Sequence, residues 1–424
     1  MHSETKKVLD KISPTFCIAK WCRTNLRTYE GTSYSCHHCR PTVTPVKDVK
    51  KDYTKLTNND AVKKYRKQML DGERPDECDH CWTREDQGLV SDRIIKSDVF
   101  IKLHDVEPKK LVKSLSSAPV HLDIAFDRTC NFKCAYCGPT NSSLWAEEIA
   151  LHGNMEGIPA FSDRDTILNR EQNPYNDAFW EWWEAGLKKS LRHLTITGGE
   201  PLLSKEFWKV LDKIEEDDLN ITVMVNTNLC PPDKIFDKFL NRIKTFPKKN
   251  SIRVSTSIES TKERAEYSRY GLDYDKFMSN LHKVLQASSK VEVNLTNNAL
   301  SFTSLTDIVK ELTKFKLKYG ADRVILHSND VTYPEYLNLR MLPKVLRIEE
   351  ENKFINFMKL NRKMFNENER YKFERTFELA MVEHPHIDYF RDQFLKFLDQ
   401  YDERRNLSFN DTFPEIAVYR NNQI

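Results

Sequence analysis

The sequence predicts an α/β fold: a partial (β/α)6 barrel with an N-terminal cysteine-rich metal module and a helical C-terminal extension. Three observations predict it. From residue 121 onward, short apolar runs alternate with longer segments of helical period. Six of the ten cysteines precede residue 82, and the last 80 residues are charged and helical in spacing. A chain of 424 residues also favours two or three domains, which we place at 1–110, 111–345 and 346–424.

The barrel is predicted from six β-rich apolar runs, each followed by a segment with turn or helix signals. The predicted strands are His121–Phe126, Leu191–Thr197, Ile221–Asn226, Ile252–Ile258, Val291–Thr296 and Arg323–His327. The predicted helices include Lys205–Glu216, Pro232–Ile243, Tyr274–Ala287 and Ser304–Tyr319. In barrels of this kind the active site lies at the carboxyl ends of the strands, so we expect the functional residues there.

Charge and hydropathy exclude several classes of protein. The 66 Lys and Arg residues nearly balance the 63 Asp and Glu residues, and their densest run, residues 47–67, contains acidic residues, so nucleic acid is not indicated as a partner. Residues 1–10 lack the apolar core of a signal peptide, and no run is long enough to span a membrane. We therefore expect a cytoplasmic protein, in which cysteines bind metal or react more often than they form disulfides.

The most informative motif is a C-x3-C-x2-C run formed by Cys130, Cys134 and Cys137, directly after the first predicted barrel strand. An iron–sulfur cluster needs four ligands, so three thiolates leave one iron open. A metal with a free position is typical of catalysis, whereas structural sites are closed. The alternative is a mononuclear zinc site, which would need a fourth ligand from elsewhere in the chain.

The segment Asp127–Cys137, with the aromatic Tyr136 before the last cysteine, resembles the signature loop of radical S-adenosylmethionine (radical SAM) enzymes. The resemblance implies a [4Fe–4S] cluster whose open iron is chelated by the amino and carboxylate groups of S-adenosylmethionine. It also implies that one electron from the cluster cleaves the ligand to a 5′-deoxyadenosyl radical. A flavodoxin-like or ferredoxin-like electron donor is then the expected partner.

The second predicted strand ends in a Thr-Gly-Gly-Glu-Pro sequence, which matches the glycine-rich element of the same family. Gly198 and Gly199 allow backbone to approach a ligand closely, and Pro201 ends the strand. Glu200 places a negative charge near an ammonium group. The resemblance implies that this element contacts the amino group of S-adenosylmethionine.

Polar residues follow the third and fourth predicted strands. Asn226 ends the third, while Ser255, Ser257 and Glu259 alternate on the fourth, so these three side chains face one side. Loop capping and a ligand-binding role are both open for such strand ends. The resemblance implies that Asn226, Ser257 and Glu259 hold ribose and methionine groups, although relatives often carry aspartate where Glu259 stands. Arg269 matches a family arginine that pairs with the methionyl carboxylate.

The N-terminal cysteines include two C-x2-C pairs, which could by themselves complete a tetrahedral zinc site. The pattern also resembles phage and bacterial radical enzymes of the twitch-domain type, which implies an auxiliary iron–sulfur cluster there. Cys39 would then be spare, and Cys22 a packed thiol. The expected ligands of the auxiliary cluster are Cys17, Cys36, Cys78 and Cys81.

The sequence thus predicts an enzyme that abstracts hydrogen from a substrate in the barrel mouth. The substrate is not identified by any motif. Relatives with extra cysteine modules favour a peptide, and nucleobase or sugar chemistry is the rival. A hypothesis from another class is a zinc-stabilised protein that binds RNA or protein on a degenerate barrel.

Overall fold

A computed structural model describes residues 2–36, 38–158, 173–247, 251–288 and 290–420. Its centre is a nine-stranded sheet with the strand order β11-β10-β8-β7-β6-β4-β1-β2-β3, and a two-stranded sheet pairs β5 with β9. The strands are β1 (Arg23–Arg27), β2 (Thr32–Tyr34), β3 (Thr42–Val43), β4 (His121–Ala125), β5 (Lys133–Cys134), β6 (His193–Thr197), β7 (Thr222–Asn226), β8 (Ser251–Ser257), β9 (Arg269–Tyr270), β10 (Val291–Asn297) and β11 (Val324–Asp330).

Helices cover the outer side of this sheet and extend the chain at both ends. Their bounds are α1 (His2–Asp10), α2 (Ala19–Cys22), α3 (Val46–Val49), α4 (Asp60–Leu70), α5 (Asp79–Asp86), α6 (Asp92–His104), α7 (Pro108–Leu111), α8 (Ser143–His152), α9 (Pro174–Trp182), α10 (Lys188–Ser190), α11 (Lys205–Glu216), α12 (Asp233–Thr245), α13 (Lys262–Ser268), α14 (Tyr274–Ala287), α15 (Leu305–Tyr319), α16 (Lys344–Asn361), α17 (Glu367–Met381), α18 (Ile387–Arg405), α19 (Phe409–Thr412) and α20 (Pro414–Arg420).

All six predicted barrel strands are present, as β4, β6, β7, β8, β10 and β11, and neighbouring strands among them are parallel. A seventh parallel strand, β1, comes from the cysteine-rich segment and pairs with β4 over its full length. The chain then turns back through β2 and β3, which are antiparallel. The sheet therefore extends across the boundary that the sequence placed at residue 110.

The two faces of the sheet differ in polarity because successive side chains of a strand alternate between them. The outer face carries buried apolar side chains such as Ile124, Ile196 and Val225, which pack against the helices. The inner face carries polar residues such as Asp123 and Thr195. Parallel strands covered by helices on one side and lined by polar groups on the other form an open barrel with a polar lumen.

The two extensions pack differently. The C-terminal helices share one continuous hydrophobic core with the barrel, which includes Phe394 and Phe397 of α18. The N-terminal segment has a separate core built around Phe16, Trp21 and Trp82. No helix among the described residues is both long and apolar enough to cross a membrane.

Candidate active site at the carboxyl edge of the barrel

The three cysteines of the C-x3-C-x2-C run lie in one loop beyond the carboxyl end of β4. Cys134 belongs to β5, and the backbone N–H of Cys137 donates to the carbonyl of Cys134 at 2.9 Å, which turns the loop back on itself. Burial raises the pKa of all three thiols, that of Cys137 to about 12, and the nearby Cys134 thiol adds to the rise at both Cys130 and Cys137. A cation bound at this loop would favour the thiolate forms.

Side chains from α8 and from Ser142, the residue before it, hold this loop in place. The indole N–H of Trp145 donates to the carbonyl of Cys134 at 2.9 Å, and the Ser142 hydroxyl donates to the carbonyl of Phe132 at 2.7 Å. The backbone N–H of Cys130 donates to the Ser143 hydroxyl at 3.2 Å. Buried backbone groups need such partners, so these bonds hold the backbone of the cysteine loop in place.

The glycine-rich element after β6 lies directly against the cysteine loop. A Cβ on Gly199 would stand 2.3 Å from the carbonyl oxygen of Thr129, and one on Gly198 would stand 2.7 Å from that of Asp127. The backbone N–H of Glu200 donates to the carbonyl of Thr129 at 2.6 Å. The glycines are therefore required first by the approach of the cysteine loop, before any ligand is considered.

The Glu200 carboxylate is bound within the protein framework. It accepts hydrogen bonds from the Thr227 hydroxyl and the Asn228 N–H, both at 2.7 Å, and from the Leu202 N–H at 3.1 Å, and Glu200 is only 1% exposed. Burial raises the pKa of Glu200 to about 7, despite these donors. This side chain thus joins the end of β6 to the loop after β7. Pro201, also buried, begins the turn that follows.

Tyr136, Glu259 and Arg269 form a closed hydrogen-bonded triangle beside Cys134. One Glu259 oxygen accepts from Tyr136 and from Arg269, both at 3.3 Å, and the Arg269 guanidinium also donates to the Tyr136 hydroxyl oxygen. Glu259 is fully buried and Arg269 is 6% exposed. Arg269 lies opposite Cys134 because β9 pairs with β5. Tyr136 and Arg269 are 133 positions apart in the sequence, and the fold brings them together.

Two atoms of this triangle have no hydrogen-bond partner within the described part of the chain: Glu259 Oε1 and Arg269 Nε. Such buried groups normally find a partner, so these two orphans indicate where a polar ligand would bind. A carboxylate suits the guanidinium, and hydroxyl or ammonium groups suit the carboxylate. The donor set therefore fits the amino acid and sugar parts of S-adenosylmethionine.

The remaining predicted residues line the same edge. Asn226 is exposed at the end of β7, and Ser257 is half-buried at the end of β8. The pairing of β7 with β8 brings Asn226 opposite Ser255, and the Asn294 side chain donates to the Ser255 hydroxyl at 2.8 Å. Asn226 and Ser257 thus border the lumen at the carboxyl ends of their strands.

Sequence reasoning missed a polar connection beneath the cysteine loop. The side chain of Asn131 donates to the carbonyl of Cys230 at 2.7 Å, and the Asn228 side chain donates to the Asn131 oxygen at 2.8 Å. These residues tie the cysteine loop to the loop after β7. The polar Asn-Thr-Asn sequence at 226–228 was a signal for this region, but its bonding partners are distant in the chain.

The N-terminal thiols form a second cluster, which lines one buried cavity with Lys20. Its cysteines are Cys17, Cys36, Cys39, Cys78 and Cys81. Cys22 does not line this cavity. Cys39, which the sequence left as spare, lies among the others: its sulfur, the Cys78 sulfur and a Glu77 oxygen are all within 4.8 Å of one another. Four buried thiols and the half-buried thiol of Cys36 in one cavity are a donor set for a thiophilic metal centre.

Two lysines donate hydrogen bonds to sulfur atoms of this cluster. The fully buried Lys20 ammonium donates to Cys39 Sγ at 3.4 Å and to the Ser35 hydroxyl at 2.8 Å, and it forms an ion pair with Glu77. The Lys96 ammonium donates to Cys36 Sγ at 3.2 Å. These cations stabilise negative charge on the thiolates, as bound metal centres require.

Residues 124–300 match the family model described as Radical SAM superfamily. Curated relatives include the GTP 3′,8-cyclases of Aliarcobacter butzleri strain RM4018 and Helicobacter pylori strain HPAG1, each 22% identical. The first match covers 64% of this chain and 74% of the relative, and the second covers 66% and 77%. Similar solved structures include SuiB of Streptococcus suis with S-adenosylmethionine (14% identity, TM-score 0.39, 82% of this chain and 70% of that one). Another is anSMEcpe with AdoMet and a peptide. Its identity to this chain is 15% and its TM-score is 0.36, and the match covers 56% of this chain and 59% of that one.

Proposed function

Residues 124–300 match the radical SAM model, and from this premise we propose that the chain is a radical SAM enzyme in which three cysteines of one loop hold the catalytic cluster. Enzymes with this domain use a [4Fe–4S] cluster and S-adenosylmethionine. Cys130, Cys134 and Cys137 would hold the cluster, because they share one tightly turned loop at the carboxyl end of β4. When bound, the cluster supplies the electron that cleaves S-adenosylmethionine to a 5′-deoxyadenosyl radical.

The residues around the loop would bind and orient S-adenosylmethionine. Arg269 pairs with its carboxylate through a guanidinium that still has an unpartnered Nε, and Glu259 accepts from its polar groups. Tyr136 holds both side chains in place through its hydroxyl. This triangle beside Cys134, in which Glu259 and Arg269 are buried, is the observation that carries the proposal.

The other predicted contacts complete the ligand site. The backbone of Gly198–Pro201 borders the amino group, whereas the Glu200 carboxylate acts by fastening the loop after β7. Asn226 and Ser257 offer hydrogen-bonding groups to the ribose at the lumen edge.

The substrate would enter the polar lumen and lose a hydrogen atom there. A peptide is the first candidate, because the N-terminal cysteine pattern resembles enzymes of the twitch-domain type. A nucleotide is the second candidate, because the curated relatives are named GTP 3′,8-cyclase. A flavodoxin-like or ferredoxin-like protein in the cytoplasm would supply the electron.

The cysteine-rich segment 1–110 would carry the second metal centre, with 111–345 as the barrel and 346–424 as its helical extension. Cys17, Cys36, Cys78 and Cys81 are the proposed ligands of an auxiliary iron–sulfur cluster. Zinc is the alternative for this site. The close spacing of Cys39 and Cys78 supports it, since thiolates around a tetrahedral zinc ion lie about 3.8 Å apart.

The test is the release of 5′-deoxyadenosine from the full chain. The protein is reconstituted anaerobically with iron and sulfide, reduced with dithionite and given S-adenosylmethionine. We expect deoxyadenosine from the wild type and at least a hundredfold less from Cys134→Ala, while Cys230→Ala serves as a matched buried-cysteine control. Wild-type protein that contains a four-iron cluster but releases no deoxyadenosine would refute the proposal.

A further inference from the structure

The two groups of cysteines lie at opposite ends of the sheet. The catalytic loop follows the carboxyl end of β4, and β1 runs parallel to β4, with Arg23 level with His121 and Arg27 level with Ala125. Cys17 precedes the amino end of β1, and the backbone carbonyl of Cys22 accepts from the Val120 N–H at 2.8 Å, just below β4. The first of the N-terminal thiols, that of Cys17, thus lies on the side of the amino ends of β1 and β4.

The return strand confirms this placement. In the antiparallel pairing of β1 with β2, Arg27 lies opposite Thr32 and Asn25 lies opposite Tyr34, so the chain runs back toward the amino edge before Cys36. The four steps from Arg23 to Arg27 span about 13 Å at the usual rise of a strand. At least that length of β1 separates the second metal site from the catalytic edge.

We propose that the N-terminal thiol site holds a structural metal centre, either zinc or an iron–sulfur cluster, that does not touch the substrate. This centre cross-links the two chain segments at the open end of the β1–β2 hairpin, and we call this cross-link the clasp. The hairpin enters the cavity at Cys17, before β1, and again at Cys36 and Cys39, after β2. Cys78 and Cys81 supply the other side of the cavity from the segment around α5. A metal bound to these groups closes the hairpin and ties it to the helices. This inference deepens the proposed function, on which its assignment of the catalytic edge rests.

The surroundings of the hairpin support a clasp. The short helix α2, which leads directly into β1, is held by side chains of α4 and α6. The Arg66 guanidinium donates to the carbonyl of Lys20 at 2.9 Å, and the Ser97 hydroxyl accepts from the Ile18 N–H at 3.2 Å. The Arg93 guanidinium donates to the carbonyl of Phe16 at 2.8 Å. The segment just before β1 is thus fastened in the same place where the thiols converge.

The charges around the thiols argue against a role as electron donor to the catalytic cluster. Lys20 and Lys96 donate to cysteine sulfurs, and Arg93 also lines the cavity. Cations and hydrogen bonds at the sulfurs stabilise the reduced, more negative state of a cluster and so raise its reduction potential. A centre of raised potential is a poor donor to a catalytic cluster that must reduce a sulfonium ion.

Strand β1, which the clasp would hold in place, forms part of the wall of the lumen. The inner face of β1 presents Asn25 and Arg27 to a cavity of about 300 Å³, which Tyr34, Ala125 and Thr197 also line. The Arg27 guanidinium stacks on the Tyr34 ring, with 5.3 Å between its carbon and the ring centre. The metal centre would therefore keep in place the strand that forms one wall of the substrate space, although it lies at the far end of that strand.

The experiment compares the full-length wild type with Cys36→Ser and with Cys22→Ser. Cys22 is a buried cysteine of the same segment outside the cavity, and its variant is the matched control. Metal content, absorbance and hydrogen–deuterium exchange of the β1–β2 peptides are measured after anaerobic reconstitution. We expect Cys36→Ser to lose the N-terminal metal and to exchange at least tenfold faster in the hairpin. Its release of deoxyadenosine per barrel cluster should stay within about twofold of the wild type.

Three results would overturn the clasp. One is unchanged exchange in the hairpin after the metal is lost, and another is a tenfold fall in deoxyadenosine release while the barrel cluster remains. The third is a wild-type protein whose N-terminal site takes up neither zinc nor iron. If Cys36→Ser does not fold, exchange is compared in wild-type protein before and after treatment with a chelator, and the metal released identifies the centre. Metal content and exchange test the clasp even if wild-type protein forms no deoxyadenosine, so the two proposals fail separately.

Discussion

Replacing Gly199 with alanine tests how closely the glycine-rich element supports the cysteine loop. The new Cβ would stand 2.3 Å from the carbonyl oxygen of Thr129 and 2.6 Å from that of Arg128, whereas ordinary contacts begin near 3.4 Å. Both neighbours are backbone atoms, so the loop itself must retreat by about 1 Å. Forced shifts of this kind cost about 1–3 kcal/mol of stability. A misplacement of about 1 Å near reacting groups lowers rates by about 10²-fold.

The assay is deoxyadenosine release from anaerobically reconstituted Gly199→Ala, with iron content and thermal unfolding measured on the same sample. Gly88→Ala is the control for the loss of backbone freedom alone: Gly88 has φ +74°, and a Cβ there meets no atom of the described chain within 4 Å. We expect both variants to lose stability and only Gly199→Ala to lose cleavage by about 10²-fold. If folded Gly199→Ala protein releases deoxyadenosine at the rate of the wild type, the close approach of the glycine-rich element to the cysteine loop is refuted.

Three further predictions concern residues around the same loop. Arg269→Lys loses the planar pair of donors, so the Kd for S-adenosylmethionine should rise about tenfold by equilibrium dialysis, with Arg264→Lys unchanged. Burial gives Glu200 a folded pKa of about 7 against an ordinary 4.5, so its contribution to stability is greatest below pH 4.5 and is lost as the pH rises through 7. Denaturant unfolding should show that the unfolding free energy falls by about 3 kcal/mol over this range, and Glu200→Gln should remove the fall. An unfolding free energy of the wild type that does not change with pH would contradict this prediction. Tyr401→Phe removes a buried hydroxyl that donates to the Tyr267 carbonyl at 2.9 Å, which should cost about 1–2 kcal/mol of unfolding free energy, whereas the exposed Tyr389→Phe should cost almost nothing.

The strands and helices of the barrel could be predicted because their signals are local. The predicted helices Lys205–Glu216 and Tyr274–Ala287 have the same bounds in the structure, and the last predicted barrel helix differs by one residue at its start. Apolar spacing reports which face of a segment is buried, and each βα unit buries one face against its neighbour. The six barrel strands follow from the same pattern.

Strand β1 was not predicted, and the reason is physical. Its sequence, Arg-Thr-Asn-Leu-Arg, is polar because one face lines the lumen, while Thr24 and Leu26 alone are buried on the other. A strand of five residues with so little apolar character has no distinctive period. Its place beside β4 depends on backbone pairing across about 100 residues of chain, which no local pattern encodes.

The candidate site divides in the same way. The three clustered cysteines and the Gly-Gly-Glu-Pro element stand out in the sequence because a metal loop and a close backbone approach each demand particular residue types at short spacing. The hydrogen-bond partners of each side chain do not follow from its residue type. Glu200 was expected beside an ammonium group, and the structure shows its carboxylate bonded to Thr227 and Asn228.

By itself, the sequence determined which chemistry this chain carries: three thiols at a strand end, an open barrel of βα units, and a second group of cysteines near the N-terminus. Only the tertiary structure decided how these parts are arranged in space. It placed Arg269 beside Cys134 and Cys39 among the other N-terminal thiols. It also placed the two groups of thiols at opposite ends of the parallel strands β1 and β4. Residue types and short spacings are set along the chain, whereas distances between segments depend on strand direction and packing, which exist only once the chain has folded.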